Sequence, residues 1–545
     1  MALFLKSFLV ILSIFCALSF CGKTRRVLFV YNEGKNFIEP HEIHNSDPPP
    51  PQWIVDVTYT DNVETTGWAV GEFTTNPDVD PHLQAYGAGY AEGYITSERI
   101  EQTWNNTLKG YCDSTPLSNS CVKIHDFVQD NIQWMLDMIK KNPDDKFWDE
   151  VNKGLLQVQG LEDGYKNLAV YNPTIRLKPF GFYLFQLGGD LEDLEVALEV
   201  EESLKHRAVG SGHCSALVKI VTDKTGKQDL FSAHDTWSSF ESMLRIMKRY
   251  NFGSHSESFS GYPGSVFSGD DFYILATGLV TMETTNGNSN SDLWKYVTPE
   301  TVPEWLRNIA ANRLAKNGEE WCEIFSNYNS GTYNNQWMIV DYNEFEKQSK
   351  TGVLYVLEQL PGETVFDDVS NVLFNQTYWA SYNIPYFPEI FKDSGQPAMV
   401  AKYGDWFTHD KNPRAKIFAR DHKKVVDMNS LIKLMRYNDF KNDPISRCNC
   451  TPPYSAENSI AARCDLNPAD GVFPFGALKQ RDHAATDVKA TSYSLQKVLG
   501  MMAESGPTHD QQPVFEWSKS PYANVSHLGM PDRFDFSPVL FVWDK

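Results

Sequence analysis

The chain has 545 residues and a formal net charge of −21, with 49 basic against 70 acidic side chains. This balance argues against nucleic acid as a partner and against simple electrostatic docking on anionic lipid, because both carry the same sign of charge. The length allows two to four domains or one large domain with insertions.

Residues 1–22 have the pattern of a secretory signal peptide. Lys6 gives a short positive start, and residues 8–15 form an apolar core too short to span a bilayer. No later stretch approaches about 18 uncharged apolar residues, so we expect no transmembrane anchor. The mature chain is predicted to be secreted or to lie in the lysosomal lumen.

Four Asn-x-Ser/Thr sequons follow, and each is a candidate glycosylation site on an exposed loop. They begin at Asn105, Asn375, Asn449 and Asn524. A single triplet arises readily by chance, whereas four behind a signal peptide favour the secretory route.

The chain has nine cysteines, and Cys16 and Cys21 would leave with the signal peptide, so seven remain. Because seven is odd, at least one thiol is unpaired or pairs with another chain. Cys112 and Cys121 flank a turn-rich segment. We predict a local disulfide between them.

Cys464 is expected to close a second short loop with Cys450 or with Cys448. Cys214 and Cys322 are then the free thiols. A thiol that stays free in an oxidising compartment needs either burial or a purpose.

The region before Cys214 is predicted to contain three strands followed by three helices. The strands are expected near residues 26–31, 53–59 and 67–73. The helices are expected at about 83–109, 122–141 and 147–167. An acidic segment then runs from about 191 to 213 and includes a basic stretch at 204–207. It fits an exposed linker that another protease could remove, or a surface helix capped by its basic end.

At Cys214 a glycine-containing stretch gives way to a strand over residues 214–222 with apolar residues on both faces, typical of a strand covered on both sides. A turn at 223–228 and a return strand at 229–233 complete a hairpin. Ser238 and Glu241 then have the form of a capping box, and an apolar stripe at 243–247 predicts a helix. Later strands are expected near residues 278–285, 337–341 and 353–357.

The hairpin predicts a constellation around Cys214. Its turn returns His234, Asp235 and Trp237 to the end of the sheet where Cys214 begins, so a thiol, an imidazole or carboxylate and an indole donor gather there. Each also has a common structural explanation, the buried cysteine above all. Cutting the His213–Cys214 bond would free an α-amine that can take the thiol proton.

Eight blocks of sequence carry a resemblance that runs from roughly Trp53 to the C-terminus. They are residues 212–217 (Gly-His-Cys-Ser-Ala-Leu), 233–237, 262–264, 267–273, 378–385, 412–418, 434–440 and 517–521. Together they resemble the phospholipase B-like (lamina ancestor) family. The resemblance implies an α+β fold, a four-layer αββα sandwich of the N-terminal nucleophile hydrolase type with additional N-terminal helices.

The resemblance also implies cleavage between His213 and Cys214, with Cys214 as the nucleophile. The further site candidates that it implies are His234, Trp237, Thr284, Thr285, Asn383 and Arg414. Asn383 would donate its amide to an oxyanion, and Arg414 would hold a carboxylate or phosphate group. The weaker candidates are Asp235 and, in place of Arg414, Arg420.

These expectations describe a self-processing cysteine hydrolase whose chains, 23–213 and 214–545, stay associated in one domain. It would release acyl chains from (lyso)phospholipids or cleave an acyl amide through a Cys214 acyl-enzyme, a chemistry that requires no metal or cofactor. The alternative is a self-processed glycoprotein that binds a lipid or another ligand with little turnover. The oligomeric state stays open, and a homodimer is compatible with the sequence.

Two other hydrolase classes are disfavoured. The chain has no Gly-x-Ser-x-Gly nucleophile elbow of a serine lipase and no His-Glu-x-x-His zinc motif.

Overall fold

The computed structural model describes residues 22–43, 52–200 and 214–543. The predicted signal peptide up to residue 21, the basic stretch at 204–207 and His213 lie outside the described residues. Among the residues described, no helix is both long enough and apolar enough to cross a membrane.

The described residues form two large sheets and one short strand pair. The strands are β1 (Lys23–Asn32), β2 (Phe37–Glu42), β3 (Trp53–Asn62), β4 (Trp68–Thr75), β5 (Cys214–Thr222), β6 (Gln228–Ser238), β7 (Arg245–Asn251), β8 (Ser256–Gly261), β9 (Phe272–Leu275), β10 (Leu279–Thr285), β11 (Asn335–Asp341), β12 (Leu354–Leu360), β13 (Glu363–Asp368), β14 (Tyr378–Ser381), β15 (Ala484–Ala485), β16 (Asp487–Ser492), β17 (Met501–Ser505), β18 (Phe515–Glu516), β19 (Arg533–Phe534) and β20 (Val539–Phe541).

The larger sheet has the order β13-β12-β11-β10-β9-β8-β7-β4-β3-β1-β2, and the smaller one has the order β14-β5-β6-β16-β17-β20, with β15 beside β6. All pairings in the larger sheet are antiparallel except that of β4 with β7. That parallel pair joins the segment before residue 200 to the segment after residue 214, so both contribute to one sheet.

The described residues also form fifteen α-helices, several of which cover the outer faces of the two sheets. They are α1 (Val63–Thr66), α2 (Pro81–Ile95), α3 (Ser97–Thr107), α4 (Asn119–Lys141), α5 (Lys146–Tyr165), α6 (Gly188–Ala197), α7 (Glu304–Leu314), α8 (Gly318–Phe325), α9 (Tyr342–Glu346), α10 (Ser370–Gln376), α11 (Pro388–Asp393), α12 (Gln396–Tyr403), α13 (Pro413–Asp421), α14 (Met428–Met435) and α15 (Tyr493–Gln496).

Three apolar clusters define the layers. The cluster between the sheets joins Ala216 and Val218 of β5 to Met282 of β10 and to other residues of the larger sheet. A second cluster packs the outer face of the larger sheet on helices α2 and α8. A third packs Leu217, on the other face of β5, against Phe418 of α13 and residues of α14. The α+β class with large sheets is confirmed, and helices, sheet, sheet and helices follow one another through the core.

Helices α2 and α5 cross at backbone contact through paired glycines. A Cβ atom added to Gly89 or Gly93 would lie 1.9 or 2.1 Å from a carbonyl oxygen of α5, and one added to Gly160 or Gly164 would lie 2.0 Å from a carbonyl oxygen of α2. No side chain fits at those distances, so glycine at these positions permits the close packing of the two helices.

The strands of the predicted hairpin are confirmed, but the helix expected after Ser238 is wrong. Strand β6 continues through Ser238 instead of ending near residue 233, and the expected helical residues form β7. Ile246 and Tyr250 of β7 pack towards the helices, and Met247 packs between the sheets. A strand buried on both faces has no polar alternation, and its apolar residues therefore resembled a helical stripe.

Two other regions refine the sequence prediction. The helix expected at 83–109 is interrupted at Thr96, which separates α2 from α3. The acidic segment begins as helix α6, which buries Leu191 and Leu194. Of the two alternatives predicted for this segment, the helix is therefore the correct one as far as Ala197.

Candidate active site

The β5–β6 hairpin sets the positions of the predicted site residues. Cys214 lies opposite Thr236, Ser215 opposite Asp235 and Ala216 opposite His234. Because directly opposed residues of an antiparallel pair share a face, the Cys214, Thr236 and His234 side chains point towards the larger sheet. The side chains of Asp235 and Trp237 point to the other face. All these residues lie at the end of the hairpin where Cys214 is placed, but Asp235 and Trp237 face away from the thiol because successive residues of a strand alternate.

The main chain of Cys214 is held at both of its polar groups. Its N–H donates to Oδ1 of Asn383 over 3.2 Å, and its carbonyl oxygen accepts from Nη1 of Arg414 over 2.7 Å. The thiol is free and buried. Two residues that the resemblance named thus contact the residue proposed as nucleophile.

Asn383 and Arg414 are themselves fixed by neighbouring groups. Asn383 has φ 66°, a left-handed conformation that asparagine tolerates well, and its Nδ2 donates to the carbonyl oxygen of Thr285 over 2.7 Å. Arg414 donates from Nη2 to the carbonyl oxygen of Tyr382 over 2.7 Å and stacks 4.3 Å from the Trp237 ring. Both side chains are therefore oriented before any ligand arrives.

Trp237 contacts the Cys214 thiol through its backbone N–H, whereas its indole ring packs against Arg414. The Trp237 N–H is hydrogen-bonded to the Cys214 sulfur and lowers the pKa of the thiol. The indole lies beneath the Arg414 guanidinium. The predicted donor next to the thiol is thus a main-chain group.

His234 is neutral and fully buried. Its Nε2 lies 2.8 Å from the carbonyl oxygen of Glu283, which can only accept, so Nε2 carries the proton. Burial, and then the charge of Lys489, lowers the pKa of His234 well below its usual value. Nδ1 has no hydrogen-bond partner among the described residues. The imidazole is therefore a fixed neutral group.

The two threonine candidates contribute in different ways. The Thr284 hydroxyl bonds the Ser381 hydroxyl over 2.6 Å and so ties β10 of one sheet to β14 of the other. Thr285 contributes its carbonyl oxygen to Asn383.

The two weaker candidates have structural partners of their own. Asp235 accepts from the Ser215 N–H over 2.8 Å, and burial raises its pKa well above the usual value. Arg420 is partly exposed and pairs with Asp421 and Asp443 instead of contacting Cys214.

A buried ionic network behind Thr236 was missed by the sequence analysis. Lys489 donates to Thr236 Oγ1 over 2.6 Å and to both Asp487 oxygens over 2.9 and 3.0 Å. Arg245 donates to Asp487 over 2.6 Å and also pairs with Asp270. The available signal was Asp-x-Lys within an otherwise uncharged strand, β16, because charges that alternate on a buried strand need partners.

A second cluster near the thiol is acidic. Its fully buried carboxyl groups belong to Asp190, Asp271, Glu283 and Glu304. Tyr333 donates to Asp271 and, over 3.2 Å, can share its hydroxyl with Glu283. Burial is the main cause that raises the pKa of each of these carboxyl groups, and the charge of Asp271 adds to it at Glu283 and Glu304. In the part of the chain that is described, no group of three or more His, Cys, Asp or Glu could hold a metal ion.

The environment of the Cys214 thiol disfavours its thiolate form. Burial and then the charge of Glu283 raise its pKa well above the usual value, against the opposing effects of the Trp237 N–H and of Lys489. Formation of a thiolate at Cys214 therefore depends on the groups that oppose burial.

The structure confirms one predicted disulfide and corrects the other. Cys112 and Cys121 are bonded. Cys448 bonds Cys450. Cys464 is instead a buried free thiol packed against Trp237 and Ala462, and its sulfur lies 2.7 Å from Glu457 Oε2. The predicted pairing of Cys464 with Cys450 or Cys448 is wrong because Cys464 lies in the interior, whereas Cys448 and Cys450 are partly exposed and bond each other.

The sequons differ in exposure. Asn375, Asn449 and Asn524 are exposed. Asn105 lies inside α3, is half-buried and donates from Nδ2 to the carbonyl oxygen of Glu101 over 2.8 Å. The expectation of an exposed loop is therefore wrong for Asn105.

An aromatic cleft of about 280 Å³ adjoins the site. Its lining includes Tyr378, Trp379, Tyr382, Tyr386 and His409. Tyr382 connects the cleft to Arg414, which binds its carbonyl oxygen.

The sequence pattern of the family described as Phospholipase B matches residues 55–541. The chain belongs to the phospholipase B family. Among its relatives, "Putative phospholipase B-like 2" of Mus musculus is 48% identical over 91% of this chain and 86% of its own length. "Putative phospholipase B-like 1" of Caenorhabditis elegans is 44% identical, over 89% and 87%. "Phospholipase B-like protein B" of Dictyostelium discoideum is 41% identical, over 89% and 84%.

The family match includes Cys214 and every predicted site residue that follows it in the chain. The resemblance found in the eight sequence blocks is therefore confirmed at the level of the family.

Proposed function

We propose that the chain is a self-processing cysteine hydrolase of the N-terminal nucleophile type, with Cys214 as its nucleophile. The observation that carries this proposal is that Asn383 and Arg414 hold the N–H and the carbonyl oxygen of Cys214, a residue of β5 whose thiol is unbonded. Cleavage before Cys214 would give its thiol an α-amine on the same residue.

The layer order supports the same class. Two sheets face each other through an apolar core, and helices cover both outer faces. This is the arrangement expected for a four-layer αββα sandwich of an N-terminal nucleophile hydrolase.

In the first stage, the Cys214 sulfur attacks the carbonyl carbon of His213. The S–C bond forms, the C–N bond breaks, and the thiol proton passes to the departing amine. Water then hydrolyses the thioester, with its OH going to the His213 carbonyl and its H to the sulfur. The products are chains 23–213 and 214–545, which stay together through the β4–β7 ladder.

In the second stage, the freed α-amine accepts the thiol proton, and the thiolate attacks the acyl carbonyl of the substrate. Asn383 Oδ1 already receives the N–H of Cys214 and would orient the amine. Asn383 Nδ2 carries two hydrogens, of which Thr285 takes one, so the other can serve an oxyanion. Water then hydrolyses the thioester of the acyl-enzyme.

The family and the aromatic cleft beside Tyr382 support the proposed substrate class. The cleft offers apolar and aromatic walls to an acyl chain, while Arg414 sits between the cleft and Cys214. We assign the activity to an acyl ester of a (lyso)phospholipid or to an acyl amide. Secretion or lysosomal delivery of the glycosylated chain belongs to the same proposal.

Turnover separates this enzyme from the alternative, a self-processed binding glycoprotein. Processed protein is incubated with lysophospholipid, diacylphospholipid and N-acyl-amide panels at pH 5 and pH 7.5. We expect acyl release that Cys214→Ala abolishes and Cys322→Ser retains, since Cys322 is a buried free thiol in α8, outside the site. Release that survives in Cys214→Ala contradicts the mechanism. No release by wild-type protein across the panel favours the binding role.

A further inference from the structure

We propose that Lys489 and Thr236 are positioning residues for the Cys214 nucleophile, with the ammonium of Lys489 stabilising the thiolate through the Thr236 hydroxyl. This inference rests on the proposed function. It deepens that proposal by naming groups that act before the α-amine exists. In the uncut chain the nitrogen of Cys214 is an amide that donates to Asn383, so it cannot yet accept a proton.

The three residues lie on neighbouring strands and share a face. Thr236 is directly opposite Cys214, a position that brings Cβ atoms within about 4.5–5.5 Å of each other. Lys489 of β16 is opposite His234, two residues from Thr236 on the same face of β6. Its Nζ is 2.6 Å from Thr236 Oγ1. A polar path therefore runs from β16 through β6 to the thiol on β5.

The contacts of Lys489 identify it as a cation. Its Nζ donates to Thr236 Oγ1 and to both oxygens of Asp487, and three donated hydrogens are the full set of an ammonium group. Burial lowers the pKa of Lys489, and Asp487 opposes that effect. In the role proposed here, Lys489 acts through its charge, which its two bonds to Asp487 support.

The Thr236 hydroxyl transmits this charge. Its oxygen accepts a hydrogen bond from Lys489, so its own hydrogen can be donated to another group. In the described structure Thr236 Oγ1 lies 3.4 Å from the carbonyl oxygen of Asp270, which is long for a hydrogen bond. A hydroxyl hydrogen rotates, so it can turn to a thiolate at Cys214 when one forms.

The remaining members of the network fix Lys489 in place. Arg245 lies between the rings of Trp68 and Tyr262, at 5.1 and 4.6 Å, and pairs with Asp487. Asp487 pairs with both Arg245 and Lys489, and none of the three side chains is exposed. Such buried ion pairs are costly in desolvation energy. Here Lys489 also contacts Thr236, the strand partner of Cys214. The other titratable groups that act on the thiol or feel its charge are Asp271, Glu283, Tyr262, Tyr333 and Arg414.

The test measures how the rate of self-cleavage depends on pH. Purified uncut chain is incubated at each pH, and intact mass reports the cleaved fraction. Thr236→Val removes the hydroxyl and keeps the shape and the Lys489–Asp487 pair, so it is the variant least prone to unfolding. We expect its cleavage rate at pH 5 to fall about tenfold and its rate-versus-pH midpoint to rise by about one unit, since one pKa unit is a tenfold change in thiolate. Thr236→Ser, the matched control, restores the hydroxyl and should stay within about twofold of wild type.

Lys489→Met should shift the midpoint in the same direction, and circular dichroism confirms that each variant is folded. A wild-type chain that cleaves itself beside a folded Thr236→Val chain with the same rate and midpoint overturns this inference alone. A wild-type chain that never cleaves overturns the proposed function, and this inference with it.

Discussion

Two buried charged clusters flank Cys214, and they meet the cost of burial in different ways. The network of Arg245, Lys489, Asp270 and Asp487 matches two cations to two carboxylates. The acidic cluster contains four carboxyl groups near Arg307, whose guanidinium donates to carbonyl, amide and hydroxyl oxygens. In the first cluster, opposite charges offset the cost of burial. In the second, the raised pKa values favour protonated, uncharged carboxyl groups.

This difference gives the two clusters opposite pH dependence. The cations hold the pKa of Asp487 at about 2, so its contribution to stability is present above its ordinary value and is lost as the pH falls towards 2. The carboxyl groups of the acidic cluster have raised pKa values, so their contribution is present at low pH and is lost as the pH rises. Taken together, the two clusters should make the fold more stable at mildly acidic pH than at alkaline pH.

Breaking the ionic network should have the largest effect. Asp487→Asn leaves Arg245 and Lys489 short of a counter-charge in the core, a change that costs about 3–5 kcal/mol in unfolding free energy. Urea unfolding at pH 5 measures it. Asp535→Asn, which breaks an exposed pair with Arg533, is the control and should change nothing measurable. Equal stability of both variants would mean that the network is not the stabilising unit described above.

A buried carboxyl group outside the acidic cluster shows how much burial alone raises a pKa, without repulsion from other carboxylates. Glu358 is fully buried, and burial raises its pKa to about 7. No neighbouring carboxylate is among the causes of this shift. Glu358→Gln replaces one oxygen that accepts a backbone N–H by an NH2 group, so it should lose about 1–3 kcal/mol at pH 5. It should then gain about 2–3 kcal/mol relative to wild type on going to pH 8, where the wild-type carboxyl ionises at a cost. Parallel pH–stability curves for the two proteins would refute burial as the cause.

A smaller effect is expected from Glu283→Gln in the acidic cluster. Asp271 and its bond from Tyr333 remain, so the melting temperature should rise by only about 1–2 °C at pH 8 and stay unchanged at pH 5. Thermal melts at the two pH values measure this change. A lower melting temperature at pH 8 would show that Glu283 is ionised and paired there.

The sequence predicted the local part of the site and missed the long-range part. Cys214 and His234 belong to one hairpin whose turn is short, so their placement at one end of the sheet followed from neighbouring residues. Asn383 and Arg414 came from the family resemblance, because nothing in their local sequence shows that they meet Cys214.

The ionic network escaped prediction for the same physical reason. Arg245, Asp270 and Lys489 come from three separate stretches of chain and pair only once both sheets are packed. Strand β7 was mistaken for a helix because tertiary burial on both of its faces removes the usual alternation. Cys464 was paired wrongly because its burial next to Trp237 has no local signal.

Self-cleavage before Cys214 is tested most directly by the N-terminal sequence and intact mass of purified protein after incubation at pH 5, with Cys214→Ala as control. We expect a chain that begins at Cys214 in wild-type protein and an uncut 213–214 bond in the variant. A wild-type chain that remains continuous through residues 213 and 214, or a variant that is cut there equally, would contradict this expectation.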